Sequence, residues 1–182
     1  MEPEKAVKEA RRIIEAHFDG KDYTPELTGR AGVFVTLTKG GLLRGCIGFS
    51  SPVELSKGLK GASLSAIRDP RFPPMTKKEL GEVEIEVSLL TPPEKVARPL
   101  DEIQVGKHGL IVRKGFHSGL LLPQVAVEQG WNVEEFLDGC CLKAGLPEGS
   151  WKEAEVYRFE GTVFGEERPR GKVVKRDLDE QR

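Results

Sequence analysis

The chain is short of three things: long apolar runs, paired cysteines, and an excess of charge of either sign. Each shortage excludes a class of protein. No apolar stretch approaches the ~20 residues of a membrane-spanning helix, and Met1-Glu2-Pro3-Glu4 does not read as a signal peptide. Three cysteines, an odd number, argue against a disulfide framework. Cys140 and Cys141 are adjacent on a segment with helical patterning, a poor geometry for bonding each other. A cytoplasmic, reduced protein with no membrane partner is therefore expected. A formal net charge of −1 supplies no overall pull toward nucleic acid or an anionic bilayer. With only two Tyr, two Trp and no ladder of alternating basic and aromatic residues, there is little to stack or grip a single strand. His17, His108 and His117 are scattered, with no His-x-x-x-His and no Cys-x-x-Cys, so no metal site is expected. The turn at Gly40-Gly41 is not a phosphate loop, because no Walker pattern surrounds it.

What is present fits a globular protein with a real core. The 182 residues are 38% hydrophobic and 31% charged, the size of one domain with room for two lobes. Residues 3–18 carry Ala6, Val7, Ala10, Ile13 and Ile14 at helical spacing, with Lys5, Lys8, Glu9, Arg12 and Glu15 outward. Residues 33–38 and 42–48 read as two strands around the turn Lys39-Gly40-Gly41. A helix is expected over 53–67, and the prolines at 70, 73 and 74 force an extended segment after it. Residues 82–90 alternate, with Val83, Ile85, Val87 and Leu89 inward and Glu82, Glu84, Glu86 and Ser88 outward. A second strand pair is expected at 109–113 and 118–122, then a helix from Asn132 to about residue 144 capped by the Asn side chain, then a strand over 154–164. From Glu166 on the chain is almost wholly charged, with Val173, Val174 and Leu178 its only apolar residues, and a mobile tail is expected at 166–182. Strand pairs with interspersed helices, without regular alternation, give an α+β fold rather than a parallel sheet.

One hexamer stands out: Leu43-Arg44-Gly45-Cys46-Ile47-Gly48. Strand alternation places Leu43 and Ile47 toward a core and Arg44, Cys46 and Gly48 together on the other face. A cation two residues from a thiol favours the thiolate. Gly45 and Gly48 remove side chains where a ligand or another backbone can approach. The proline-rich Asp69-Pro70-Arg71-Phe72-Pro73-Pro74 loses little entropy when held still and can present Asp69 or Arg71, or serve structure, with Arg71 paired to Asp69 and Phe72 in the core. If Arg44 and Arg71 converge, their guanidinium forks suit a carboxylate or phosphate. His108, between Lys107 and Gly109, is a surface-loop residue, or else a general base or hydrogen-bond donor near Cys46. Gln124, after Leu122-Pro123 at a strand end, lines a pocket or satisfies backbone groups.

The hexamer resembles the signature of the AMMECR domain family. So do Val33-Phe34-Val35-Thr36-Leu37-Thr38 before it and Asp69-Pro70-Arg71-Phe72-Pro73 after it. The blocks Val87-Ser88-Leu89-Leu90-Thr91-Pro92, Gly106-Lys107-His108-Gly109-Leu110 and Leu121-Leu122-Pro123-Gln124-Val125-Ala126 follow in the same order, so the likeness runs from about residue 4 to about 165. It implies an antiparallel sheet with packed helices in a larger and a smaller lobe. It also implies partnership with Memo-like and radical S-adenosylmethionine proteins in a modification pathway. It specifies no cofactor. Two functions follow. One is an enzyme using Cys46, Arg44 and His108 on an anionic or activated small substrate, with Gly45, Gly48, Asp69, Arg71 and Gln124 lining the site. The other is a ligand-binding or adaptor module in which the same residues shape a recognition cleft. An RNA-binding regulator is a third reading.

Overall fold

The computed structural model describes residues 3–176. Its elements are α1 (Pro3–Phe18), β1 (Arg30–Lys39), β2 (Leu42–Glu54), α2 (Leu55–Ala66), β3 (Val83–Leu90), β4 (Glu94–Lys95), α3 (Pro99–Glu102), β5 (His108–Lys114), β6 (His117–Leu121), α4 (Pro123–Gln129), α5 (Val133–Lys143), β7 (Glu155–Glu166) and β8 (Val173–Arg176). The chain forms two compact units, residues up to 90 with 162–176, and residues 91–161. Strand β7 runs through both. The architecture is α+β with antiparallel pairing throughout the described ladders.

In the first unit β1 is central, paired with β2 on one side and β3 on the other. Its Val33, Val35 and Leu37 are fully buried, as are Val83 and Ile85 of β3. The alternating pattern of 82–90 thus meets its core, and α1 and α2 contribute Val7, Ala10, Ile14, Leu59 and Ala62 to the same cluster. Three expectations need correction. Glu9 is not on the outward face of α1: it is buried, and accepts hydrogen bonds from Arg12 and from the Tyr23 hydroxyl at 2.7 Å each. The helix over 53–67 begins at Leu55, because Pro52 and Val53 continue β2. The described part of the tail is not free. Residues 173–176 form β8 against β7, Val173 is buried, and Arg176 donates to the Glu166 carbonyl. One buried apolar residue and a strand ladder suffice to hold a segment whose composition alone reads as mobile. Leu178 lies outside the described residues.

In the second unit β5 is flanked by β6 and by residues 155–160 of β7. Helix α5 packs Phe136, Leu137, Cys140 and Cys141 into a core with Leu110, Val112, Trp151 and Val156. Asn132 caps α5 as expected: its side chain accepts the Glu135 amide, and Glu135 returns a bond to the Asn132 amide. Gln124 follows the end of β6, as expected, but sits in a helix. Pro123 opens the short helix α4, the position where proline lacks nothing the helix needs, and Gln124 follows it inside the first turn.

Candidate functional site

Cys46 lies on β2, the edge strand of the first unit's sheet. Its position depends on a β-bulge. The hairpin pairs Lys39 with Leu42 and Thr38 with Leu43, but then Leu37 with Gly45, leaving Arg44 as the extra residue. The bulge reverses parity. Leu43, opposite Thr38, falls on the same face as Cys46, opposite Thr36, and away from the core. Leu43 is accordingly 43% exposed, so its assignment to the core from simple alternation is wrong, while Ile47 packs against the core as expected.

Among the described residues, the edge of β2 at Cys46 has no neighbouring strand. Asp69 and Arg71 take that place. The Cys46 amide donates to Asp69 Oδ2 at 2.9 Å, and Arg71 Nη2 donates to the Cys46 carbonyl at 3.2 Å. Arg71 also grips Asp69 through Nε at 3.0 Å, Nη2 at 2.7 Å and its own backbone amide at 3.1 Å. The pair imitates a strand ladder for one residue and blunts the edge against pairing with another chain. The Asp69 carboxylate is buried. Arg71's hydrogen bonds hold it well below the usual carboxylate range, outweighing the opposing effect of burial, with the Cys46 and Arg71 amides assisting. Phe72 does not plug the core. It is half-buried under the Arg71 guanidinium, 5.6 Å from its ring centre, and Met75 goes inside instead.

Cys46 as a residue is half-buried, and its sulfur lies 3.2 Å from the Thr36 hydroxyl. Arg44 does not turn to it. Arg44 Nε donates to Glu79 Oε1 at 2.9 Å, with both side chains 14% exposed. Glu79 is held down to about 2, first by Arg44, against burial, and then by the Thr76 amide and hydroxyl of its capping box. The two glycines serve backbone approach. A Cβ on Gly45 would lie 2.3 Å from the Ala66 carbonyl at the end of α2, and one on Gly48 would lie 2.2 Å from the Val33 carbonyl of β1.

Cys46, Asp69 and Arg71 are thus in direct contact, and Arg44 is engaged beside them by Glu79. His108 and Gln124 belong to the second unit. His108 is no surface-loop residue: it opens β5 and is 4% exposed. Its Nδ1 accepts the Gln104 amide at 3.0 Å, so in the neutral ring the proton sits on Nε2. Burial, with help from Arg158 and Lys107, lowers its pKa and keeps the ring neutral. That state is a hydrogen-bond donor at Nε2 and has no lone pair there to act as a base.

Sequence reasoning missed Thr36 and Glu79. Thr76-Lys77-Lys78-Glu79 is a capping-box pattern and was a usable signal for Glu79. Thr36 depends on the bulge, since counting outward from the turn without one pairs Thr36 with Gly45 and not Cys46. Among the described residues, no cluster of His, Cys, Asp and Glu is arranged to hold a metal ion, and no helix is long and apolar enough to cross a membrane.

An antiparallel α+β fold with the hexamer on its edge strand defines a class, and the comparisons agree on which. The AMMECR1 family model matches residues 6–164, and the chain belongs to that family. Similar proteins include Protein PF1979 of Pyrococcus furiosus, 46% identical with 94% of this chain and 91% of that one covered. Another is Protein MJ0810 of Methanocaldococcus jannaschii, also 46% identical, with 95% and 94% covered. A crystal structure described as uncharacterized protein PH0010 from Pyrococcus horikoshii superposes with a TM-score of 0.81, at 44% identity and 96% coverage of both chains.

Proposed function

We propose that the first unit is a ligand-recognition module that grips an anionic group through Arg71 beside Cys46. One observation carries this reading: the guanidinium is fixed on one side and open on the other. Asp69 and the Cys46 carbonyl hold Nε and Nη2, Nη1 makes no hydrogen bond among the described residues, and the side chain is 56% exposed against 1% for Asp69. An arginine already oriented loses less freedom when it pairs with a carboxylate or phosphate. The thiol beside it adds a polarizable contact, and Arg44 is engaged by Glu79. The partnership with Memo-like and radical S-adenosylmethionine proteins implied by the family resemblance suits such a module acting as an adaptor.

Titration with inorganic phosphate and with acetate, followed by calorimetry, tests it. Arg71→Ala should weaken binding by roughly tenfold or more, because charge-assisted hydrogen bonds are lost. Cys46→Ala should change it little. Affinity indifferent to Arg71→Ala overturns the reading. The enzyme reading is favoured by one feature, the Thr36 hydroxyl within reach of the sulfur, which suits stabilising a thiolate. Under that reading Cys46→Ala abolishes turnover on an activated acyl substrate, and Cys46→Ser retains the fold.

A further inference from the structure

We propose that the second unit carries a separate binding site for a small zwitterion, an amino acid or dipeptide, in the cavity where the buried His108 Nε2–H meets the Glu160 carboxylate. The cavity is about 600 Å³ and every residue lining it belongs to this unit. That volume falls within the range of small-molecule sites, ~300–1,000 Å³.

The floor is built and the rim is adjustable. His108 is fixed by its Nδ1 bond to the Gln104 amide, and its Nε2 makes no hydrogen bond among the described residues. Nε2 is nevertheless not a sealed, unsatisfied atom, since the Ser63 hydroxyl is the one such side-chain atom among the described residues. It opens on the cavity, 3.8 Å from Glu160 Oε1. Glu160 is anchored by its backbone, whose amide donates to the Thr91 hydroxyl at 2.8 Å, while its carboxylate is half-exposed and meets Lys107 at 3.2 Å. Arg158 is held by the Glu102 carbonyl at 2.7 Å and only loosely by Glu94 at 3.4 Å.

The charge pattern selects the ligand. Glu94, Asp101, Glu102 and Glu160 face only two permanent cations, Lys107 and Arg158. A simple anion would enter a wall of net negative charge. A simple cation would bring no acceptor to the buried Nε2–H. A molecule carrying both groups satisfies both. Its carboxylate accepts from His108 Nε2–H and from Arg158 once Glu94 swings out, and its ammonium donates to Glu160 and Glu94.

The test compares glycine and Ala-Ala with acetate and methylammonium on the whole chain, reading affinity by calorimetry and the His108 ring nitrogen signals by NMR. Glycine or Ala-Ala should shift the Nε2 signal and bind about tenfold or more tightly than either half-ligand. Glu160→Gln and His108→Gln should each lower that affinity by about tenfold, and Arg71→Ala should not change it. If His108→Gln does not fold, Glu160→Gln decides alone. Acetate or methylammonium binding as well as the zwitterions, no shift of the Nε2 signal with any probe, or zwitterion affinity untouched by Glu160→Gln each overturns the proposal.

Discussion

Two carboxylates in the first unit are buried almost equally, and their partners differ. Glu166, 4% exposed, accepts from Arg11 through both oxygens and from the Ile85 amide of β3 at 3.1 Å. Asp69, 1% exposed, accepts from Arg71 through both oxygens and from the Cys46 amide of β2. Each carboxylate therefore joins an arginine to a strand. Arg11 is itself 8% exposed, and it also donates through Nη1 and Nη2 to the Leu80 and Val83 carbonyls at 3.0 and 2.7 Å. Arg71 is open to solvent. The closed clamp welds α1, β3 and the end of β7, and is shut away from solvent. The open clamp does the same work for one edge residue and keeps part of a fixed guanidinium free. Full satisfaction marks a structural ion pair, and partial satisfaction at the surface marks a candidate site.

Breaking the closed clamp should have the largest effect. Glu166→Ala leaves a buried guanidinium without its counter-charge and an Ile85 amide without an acceptor, a loss of about 3–5 kcal/mol in denaturant unfolding. A loss under about 1 kcal/mol, the range of an exposed pair, would erase the distinction between the clamps. Truncation after Glu166 should come next. It removes β8 and the buried Val173, worth about 1.5–3 kcal/mol, and the melting temperature should fall. An unchanged melting temperature would mean that β8 adds no stability to its ladder.

The open clamp should be weaker. Asp69→Asn keeps the shape but cannot accept from Arg71 and Cys46 through two charged oxygens, so it should cost about 1–3 kcal/mol. Faster hydrogen exchange at the Cys46 amide would localise the loss, and unchanged exchange there would show that the edge is protected by something else. Acid separates the same region by titration. Asp69 and Glu79 both have folded pKa values below their unfolded ones. Their stabilising contribution is complete above the unfolded values and is lost as pH falls through the folded ones, about 2 for Glu79. Stability should therefore decline below about pH 4, and the decline should be shallower in Arg44→Met, where Glu79 loses its largest depressing interaction.

Much of this was legible in the chain. The helix over 3–18, the alternation of 82–90 and the Asn132 cap follow from local periodicity and side-chain reach, which depend on near neighbours alone. Asp69 and Arg71 stood out because six residues with three prolines have few conformations in which to hide them. What was not legible depends on register or on distant partners. A one-residue bulge moved Leu43 out of the core and changed which threonine faces Cys46. Glu9 looks like a solvent-facing helix residue until Tyr23 arrives from elsewhere in the chain to bury with it, and the burial of Arg11 likewise depends on Glu166. Glu166 itself reads as the start of a charged tail, because its partner lies 155 positions away in sequence.

The smallest expected change in stability belongs to the thiol under the open clamp, and it sharpens the contrast between exposed and sealed surroundings. Cys46 is half-buried on an edge strand, whereas Cys140 and Cys141 lie in the second unit's core. Cys140 is pushed up to about 12 by burial, and burial raises Cys141 as well. A thiolate is the reacting form, so neither should meet iodoacetamide in the folded protein. Native labelling should stop at one adduct, on Cys46, and unfolding in denaturant should release the other two of the three thiols. Cys46→Ser should abolish the native adduct while changing stability by less than about 1 kcal/mol, since serine keeps a partner for the Thr36 hydroxyl and fills a nearly equal volume. Native labelling at Cys140 or Cys141 would mean that the second core opens on its own. A Cys46 that stays unlabelled while the protein is folded would mean that the thiol is shielded on its edge strand, and the enzyme reading would lose its nucleophile, while the recognition reading, which rests on the exposed Arg71 guanidinium, would stand.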